Sequence, residues 1–328
     1  MRSTLLLRIA AAGLALGWPW LRATEEPAGG SGREANPTPA GAAEQKQEPA
    51  SLKRAIYDGK VLPWPKPAAG KVAKLEKELK GQLPQEDFRF LTVGPWVIAT
   101  DLGEEEAQRF AASTMATYAS RIQTQLFTKQ PRSEPVKVYL FKDADSYTLW
   151  NVKLFKERPT TPYGYYSRVK NALVMNIGTG GGTLLHEMVH AMAEEDFPAI
   201  PSWLNEGLGS LFEASMAQRD GKVAGFTNWR LTGLQRDIRN GTATKLADLV
   251  KFTTDEFYGA RSGANYASAR YLMQYLQDNG KLEAFYTRIR DGKDADAAAS
   301  LRAVFDDKLS VEEIEKAVYA WALTLKLR

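Results

Sequence analysis

The chain contains only two histidines, His186 and His190, and they stand four residues apart with Glu187 directly after the first. That spacing brings two side chains together only on a helix. One turn sets both imidazoles on the same face, where they can bind one metal ion, and Glu187 stands beside them to activate a water at that metal. The chain must therefore form a sound helix around residue 188 and bring a further ligand to it, because a catalytic zinc keeps three protein ligands and one open position.

The run His186-Glu187-Met188-Val189-His190 is the HExxH signature of zinc hydrolases, and it uses every histidine the protein has. Cysteine is absent, which excludes disulfides, thiolate ligands and a cysteine nucleophile, so a metal must be held by nitrogen and oxygen. Two residues can supply the third ligand. Asp196 lies six residues after His190, where it serves only if the helix stops and the chain reverses. Some zinc peptidases place a glycine at the position held here by Ala193 to allow that reversal. Glu206 is the preferred candidate. Pro198, Pro201 and Ser202 end one segment and begin another, so Glu206 falls in the opening of a new helix able to pack against the first. Glu194, Glu195 and Asp196 then read as a solvated acidic helix end, against the sense of the helix dipole.

The segment Trp203-Leu204-Asn205-Glu206-Gly207-Leu208-Gly209-Ser210 resembles the one that carries the third zinc ligand in gluzincin aminopeptidases and in peptidase MA-like bacterial domains. Its shorter gap from His190 favours the MA-like group, and no Gly-x-Met-Glu-Asn amine clamp of the aminopeptidases is present. The resemblance extends from Ala172 to Leu276. It implies a zincin-like α+β fold and one Zn2+ held by His186, His190 and Glu206. The activity it implies is that of a metallopeptidase, an endopeptidase by default.

Such a reaction needs a donor for the oxyanion, and both histidines are committed to metal. The stretch Asn265 to Leu272 resembles the aminopeptidase segment with the transition-state tyrosine, which implies Tyr266 as that donor beside Glu187 as general base. Metal-bound imidazoles usually give their second nitrogen to an acceptor. Glu213, two turns beyond Glu206, can supply that contact or stand as an exposed surface glutamate, the two readings being equal, and Ser210 is a weaker candidate. The glycine-rich run from Gly178 to Gly182 lacks the Gly-Lys-Ser/Thr ending of a phosphate loop and reads as a tight strand-to-helix connection. The strand before it, Ala172 to Ile177, is expected to pair with an extended peptide by edge addition.

The remainder of the chain sets the frame. Arg2 and Arg8, an apolar stretch from Ile9 to Leu21 and small-residue chemistry at Ala23 read as an export signal over residues 1–23. A Pro/Ala/Glu-rich linker follows over 24–70. A periplasmic or secreted protein with no stable membrane span after cleavage is expected. The formal charge of +4, with basic and acidic residues interspersed, gives no electrostatic case for nucleic acid and leaves a peptide or protein as the expected partner.

Periodicity over 71–182 predicts strands at 96–99, 136–141, 163–167 and 172–177, the last two forming a hairpin. It predicts helices at 104–126 and 144–155, and a helical pattern beginning at Val72, Leu75 and Leu79. From 183 to 328 the pattern is almost wholly helical, with helices at 183–195, 202–217, 230–239, 264–278, 281–289 and 311–325. The layout is a mixed-sheet lobe followed by a helical lobe, with the chemical motif between them. Two other readings carry the same motif: a zinc-stabilised scaffold or binding module of the cell envelope, and a hydrolase of non-peptide amides such as a cell-wall cross-link.

Overall fold

The computed structural model describes residues 64–327. The expected export signal and the expected linker as far as residue 63 lie outside the described residues. Trp64, inside the stretch expected to be linker, is buried. Its indole meets Trp96 edge-on at 6.0 Å and donates from Nε1 to Gln123 at 3.0 Å, so the packed body includes Trp64.

The first lobe is α1 (Ala69–Gln82), β1 (Arg89–Val93), β2 (Trp96–Thr100), α2 (Glu104–Phe110), a π-helical segment (Ala111–Ala119), α3 (Ser120–Gln125), β3 (Val136–Phe141), α4 (Ala144–Phe155), β4 (Gly164–Ser167) and β5 (Ala172–Asn176). The five strands form one sheet in the order β1-β2-β3-β5-β4. Its three middle strands are parallel, and each outer strand runs antiparallel to its neighbour.

Side chains alternate across each strand, so the sheet feeds two cores. Val97, Ala99, Tyr139, Phe141, Ala172 and Val174 pack with Leu79 of α1 and Tyr147 of α4. Ile98, Val138, Leu140, Leu173 and Met175 face the larger core shared with the second lobe. Strands covered on both faces read as continuous apolar runs, and β2 and β5 are buried at every residue.

The second lobe comprises α5 (Gly181–Asp196), α6 (Ser202–Phe212), β6 (Ser215–Ala217), β7 (Val223–Gly225), α7 (Arg230–Arg239), α8 (Leu246–Leu249), α9 (Thr254–Phe257), α10 (Ser262–Asp278), α11 (Leu282–Arg290), α12 (Ala297–Ala303) and α13 (Val311–Thr324). The architecture is α+β with a mixed sheet. Among the described residues no helix is long and apolar enough to cross a membrane.

Several expectations need correction. The helix expected over 202–217 stops at Phe212, and β6 pairs antiparallel with β7 where helix was anticipated. The stretch 104–126 is helical but wound as a π-helix in its middle, with Thr117 Oγ1 bonded to the Ala112 carbonyl at 2.9 Å. The strand Ala172–Asn176 is interior, between β3 and β4, so it has no free edge for a peptide; the open edge on that side belongs to β4.

The glycine run does form a tight connection. A Cβ on Gly182 would lie 2.2 Å from the carbonyl oxygen of Glu213, so the start of α5 and the end of α6 approach with no room for a methyl group.

Candidate metal centre

Helix α5 is buried on nearly all sides, with Leu184, Leu185, Met188, Val189 and Ala191 to Ala193 in the core. A helix so enclosed holds its polar side chains in fixed positions. Across from it, α6 starts at Ser202, just after Pro201, and carries Glu206. Packing of α6 between α5 and α10 aims that carboxylate at the two imidazoles.

One ligand atom from each of His186, His190 and Glu206 lies within 4.8 Å of the other two. Oε2 of Glu206 is 3.2 Å from Nε2 of His186 and 3.4 Å from Nε2 of His190. The outer nitrogens are also engaged: Nδ1 of His186 faces Glu213 Oε2 at 3.2 Å, and Nδ1 of His190 faces Asn205 Oδ1 at 2.8 Å. An acceptor opposite each Nδ1 assigns a proton to that atom, so each Nε2 is the nitrogen that a metal at the common point would displace a proton from and bind. Two imidazole nitrogens and one carboxylate oxygen, each backed in this way, fit a dication such as zinc.

Glu213 is itself held by Asn228 Nδ2 at 2.7 Å and by an ion pair with Arg230. Ser210, its weaker alternative, has a buried hydroxyl with no partner among the described residues. Asn205 escaped the sequence reading; its one signal was a place beside Glu206 in the same opening turn. Gly209 explains part of the motif around Glu206, because a Cβ there would lie 2.9 Å from Nε2 of His186.

Glu187 shares the buried face. Its Oε2 accepts the backbone N–H of Tyr166 in β4 at 2.9 Å, which ties the carboxylate to the sheet edge and leaves Oε1 without that bond. Burial pushes its carboxyl above the usual range, against the pull of His190 and His186. Burial would raise Glu206 as well, but the charge of His190 and the hydrogen bonds of both imidazoles hold it well below that range. Burial opposes the charged form of His186, yet its bonds to Glu206 and Glu213 win and lift it to about 10.

Asp196 is elsewhere and is not the solvated residue expected. It is buried, with Oδ1 accepting the backbone N–H groups of Lys129 and Gln130 at 2.7 and 2.8 Å. Its Oδ2 accepts Tyr286 Oη and Arg290 Nη1, both at 2.9 Å. These donors offset the unfavourable position of an acid at a helix C-terminus. Glu195 lies 3.6 Å from Arg132, and Glu194 is half-buried with its carboxyl pushed up by burial.

Tyr266, on α10, is half-buried and approaches Glu206, with Arg230 over its ring at 5.4 Å. A second tyrosine unremarked in the sequence stands closer: Tyr258 donates its hydroxyl to Oε1 of Glu206 at 2.6 Å. The two rings are 6.2 Å apart. Burial first and then the charge of Glu206 keep both phenols protonated far above their ordinary range.

No protein-family model matches this chain, and no curated protein is significantly similar to it.

Proposed function

We propose that this protein is an exported, zinc-dependent metallopeptidase of gluzincin type on a zincin-like fold, acting as an endopeptidase. The observation that carries this reading is the convergence of His186 Nε2, His190 Nε2 and Glu206 Oε2, with Glu187 on the same buried face. Zinc held there would supply Lewis acidity, lowering the pKa of water toward neutrality and polarising a carbonyl.

The chain's own groups then divide the remaining work. Glu187, anchored through Oε2 to Tyr166, takes the proton of the attacking water on Oε1 and returns it to the departing amine. Its raised proton affinity suits a base that works near neutral pH. Tyr266 donates its hydroxyl to the developing oxyanion. The substrate adds as a further strand along β4, the free edge next to Glu187, and main-chain pairing there supplies affinity with little sequence preference.

The test is metal analysis of the purified protein, followed by cleavage of a peptide library with and without chelator. Stoichiometric zinc with chelator-sensitive cleavage is expected. Zinc without turnover of any peptide would instead overturn the peptidase reading and leave a binding module or a hydrolase of non-peptide amides.

A further inference from the structure

The two carboxylate oxygens of Glu206 have different partners. Oε2 faces both imidazoles at 3.2 and 3.4 Å, while Oε1 accepts the Tyr258 hydroxyl at 2.6 Å. A carboxylate free to turn can offer a metal one oxygen or both. A phenol bound to Oε1 removes that freedom, since an oxygen committed to a charge-assisted hydrogen bond in a buried site is a poor second ligand. We propose that Tyr258 is a positioning residue for Glu206, fixing it as a one-oxygen ligand so that a coordination position stays open, and that Tyr266 alone is left to serve the substrate. The inference rests on the metal centre proposed above.

The segment that carries Tyr258 is braced to do this. A capping box between Thr253 and Glu256 closes the start of α9. Thr254 and Ser202 share a hydroxyl hydrogen bond of 2.9 Å, which joins this short helix to the first residue of the helix that carries Glu206. Phe257, fully buried, anchors the neighbouring position. Asn265 donates to the carbonyls of Glu256 at 3.3 Å and Phe257 at 3.0 Å, and is itself held by Thr244 at 2.8 Å. Tyr258 therefore reaches Glu206 from a fixed support, although it lies in a connection with no long helix of its own.

Tyr258→Phe removes one oxygen and keeps the half-buried ring, so the fold should persist, as circular dichroism of the chelated protein will show. Zinc affinity is read by chelator competition, and coordination by the visible absorption of the cobalt-substituted protein. Tyr258→Phe should weaken zinc about 10-fold or more and alter the cobalt bands, as loss of a residue backing a metal ligand does. Tyr266→Phe, whose hydroxyl approaches Glu206 less closely, should lose less zinc affinity than Tyr258→Phe and keep the wild-type cobalt bands. In a Glu206→Ala background the Tyr258 change should add no further loss. Wild-type affinity and spectrum for Tyr258→Phe, or an equal loss with and without Glu206, would overturn the proposal. Wild-type protein that takes up no zinc at all would remove the metal centre itself, a different result from either.

Discussion

Glu213 Oε2 lies 3.2 Å from Nδ1 of His186, on the opposite side of the ring from Glu206. The imidazole is thus gripped from both edges, and its grip is continued by Asn228 and Arg230 on the other oxygen of Glu213. Glu213→Gln keeps the shape and removes the charge. It should loosen zinc by about 10-fold, measured by chelator competition, which is the usual penalty for weakening an imidazole's outer partner.

Glu187→Gln should retain the full complement of metal, since the side chain is not one of the three converging ligands. Turnover should fall by about 100-fold or more, the scale of a lost general base. Metal content and cleavage rate measured on one preparation separate the two effects, and an unchanged rate would remove Glu187 from the mechanism.

Glu206→Ala and Asp196→Ala should fail in different ways. The first should lose its zinc on purification and bind added zinc only weakly, in the range that chelator competition still reads. The second should leave metal binding intact but destabilise the fold by about 1–3 kcal/mol, because the backbone N–H groups of Lys129 and Gln130 and the Tyr286 hydroxyl lose their buried acceptor while Arg290 keeps Asp291. Metal analysis beside thermal or denaturant melts resolves the pair.

Gly209→Ala improves helix propensity yet places a methyl against the His186 ring, so metal affinity should drop. Gly233→Ala is the control. It lies in α7 with nothing within 4 Å of the added carbon, and should stabilise the protein by roughly 0.5–1 kcal/mol.

The pH dependence follows from His186. Its folded value of about 10 exceeds that of an unfolded histidine, so the folded protein binds the extra proton between these limits. In chelated protein this contribution is complete below about pH 6.5 and is lost as pH rises toward 10. Zinc competes with the same proton, so apparent zinc affinity should increase across this window, by up to about tenfold per pH unit for each proton displaced. Denaturant melts and zinc titrations at several pH values check both trends.

The elements that the sequence made legible are those whose burial pattern is local. Residues 136–141 alternate or run apolar because both faces of that strand are covered, and 230–239 carries a clear helical period. Spacing on one helix brought forward His186, Glu187 and His190, while Glu206 came from the break at Pro198, Pro201 and Ser202 that starts the next helix and from the resemblance of its segment. Strand β1 was missed because its residues are mostly half-buried and show weak contrast. The end of α6 was overrun because nothing in residues 213–217 breaks a helix; pairing with β7 decides it.

Asp196 and Tyr258 owe their roles to distant partners. The donors to Asp196 come from residues 129–130 and 286–290, and composition can suggest only that a run of acids is hydrated. Tyr258 follows a helix of four residues, too short to show a period.

Gly182 meets the backbone of Glu213 where no methyl group fits, so the two ligand-bearing helices are spaced by main chain against main chain. Side chains can rearrange, but that contact leaves the two helices no room to move closer. The floor beneath the proposed centre is therefore set by backbone, which no change of rotamer can lower.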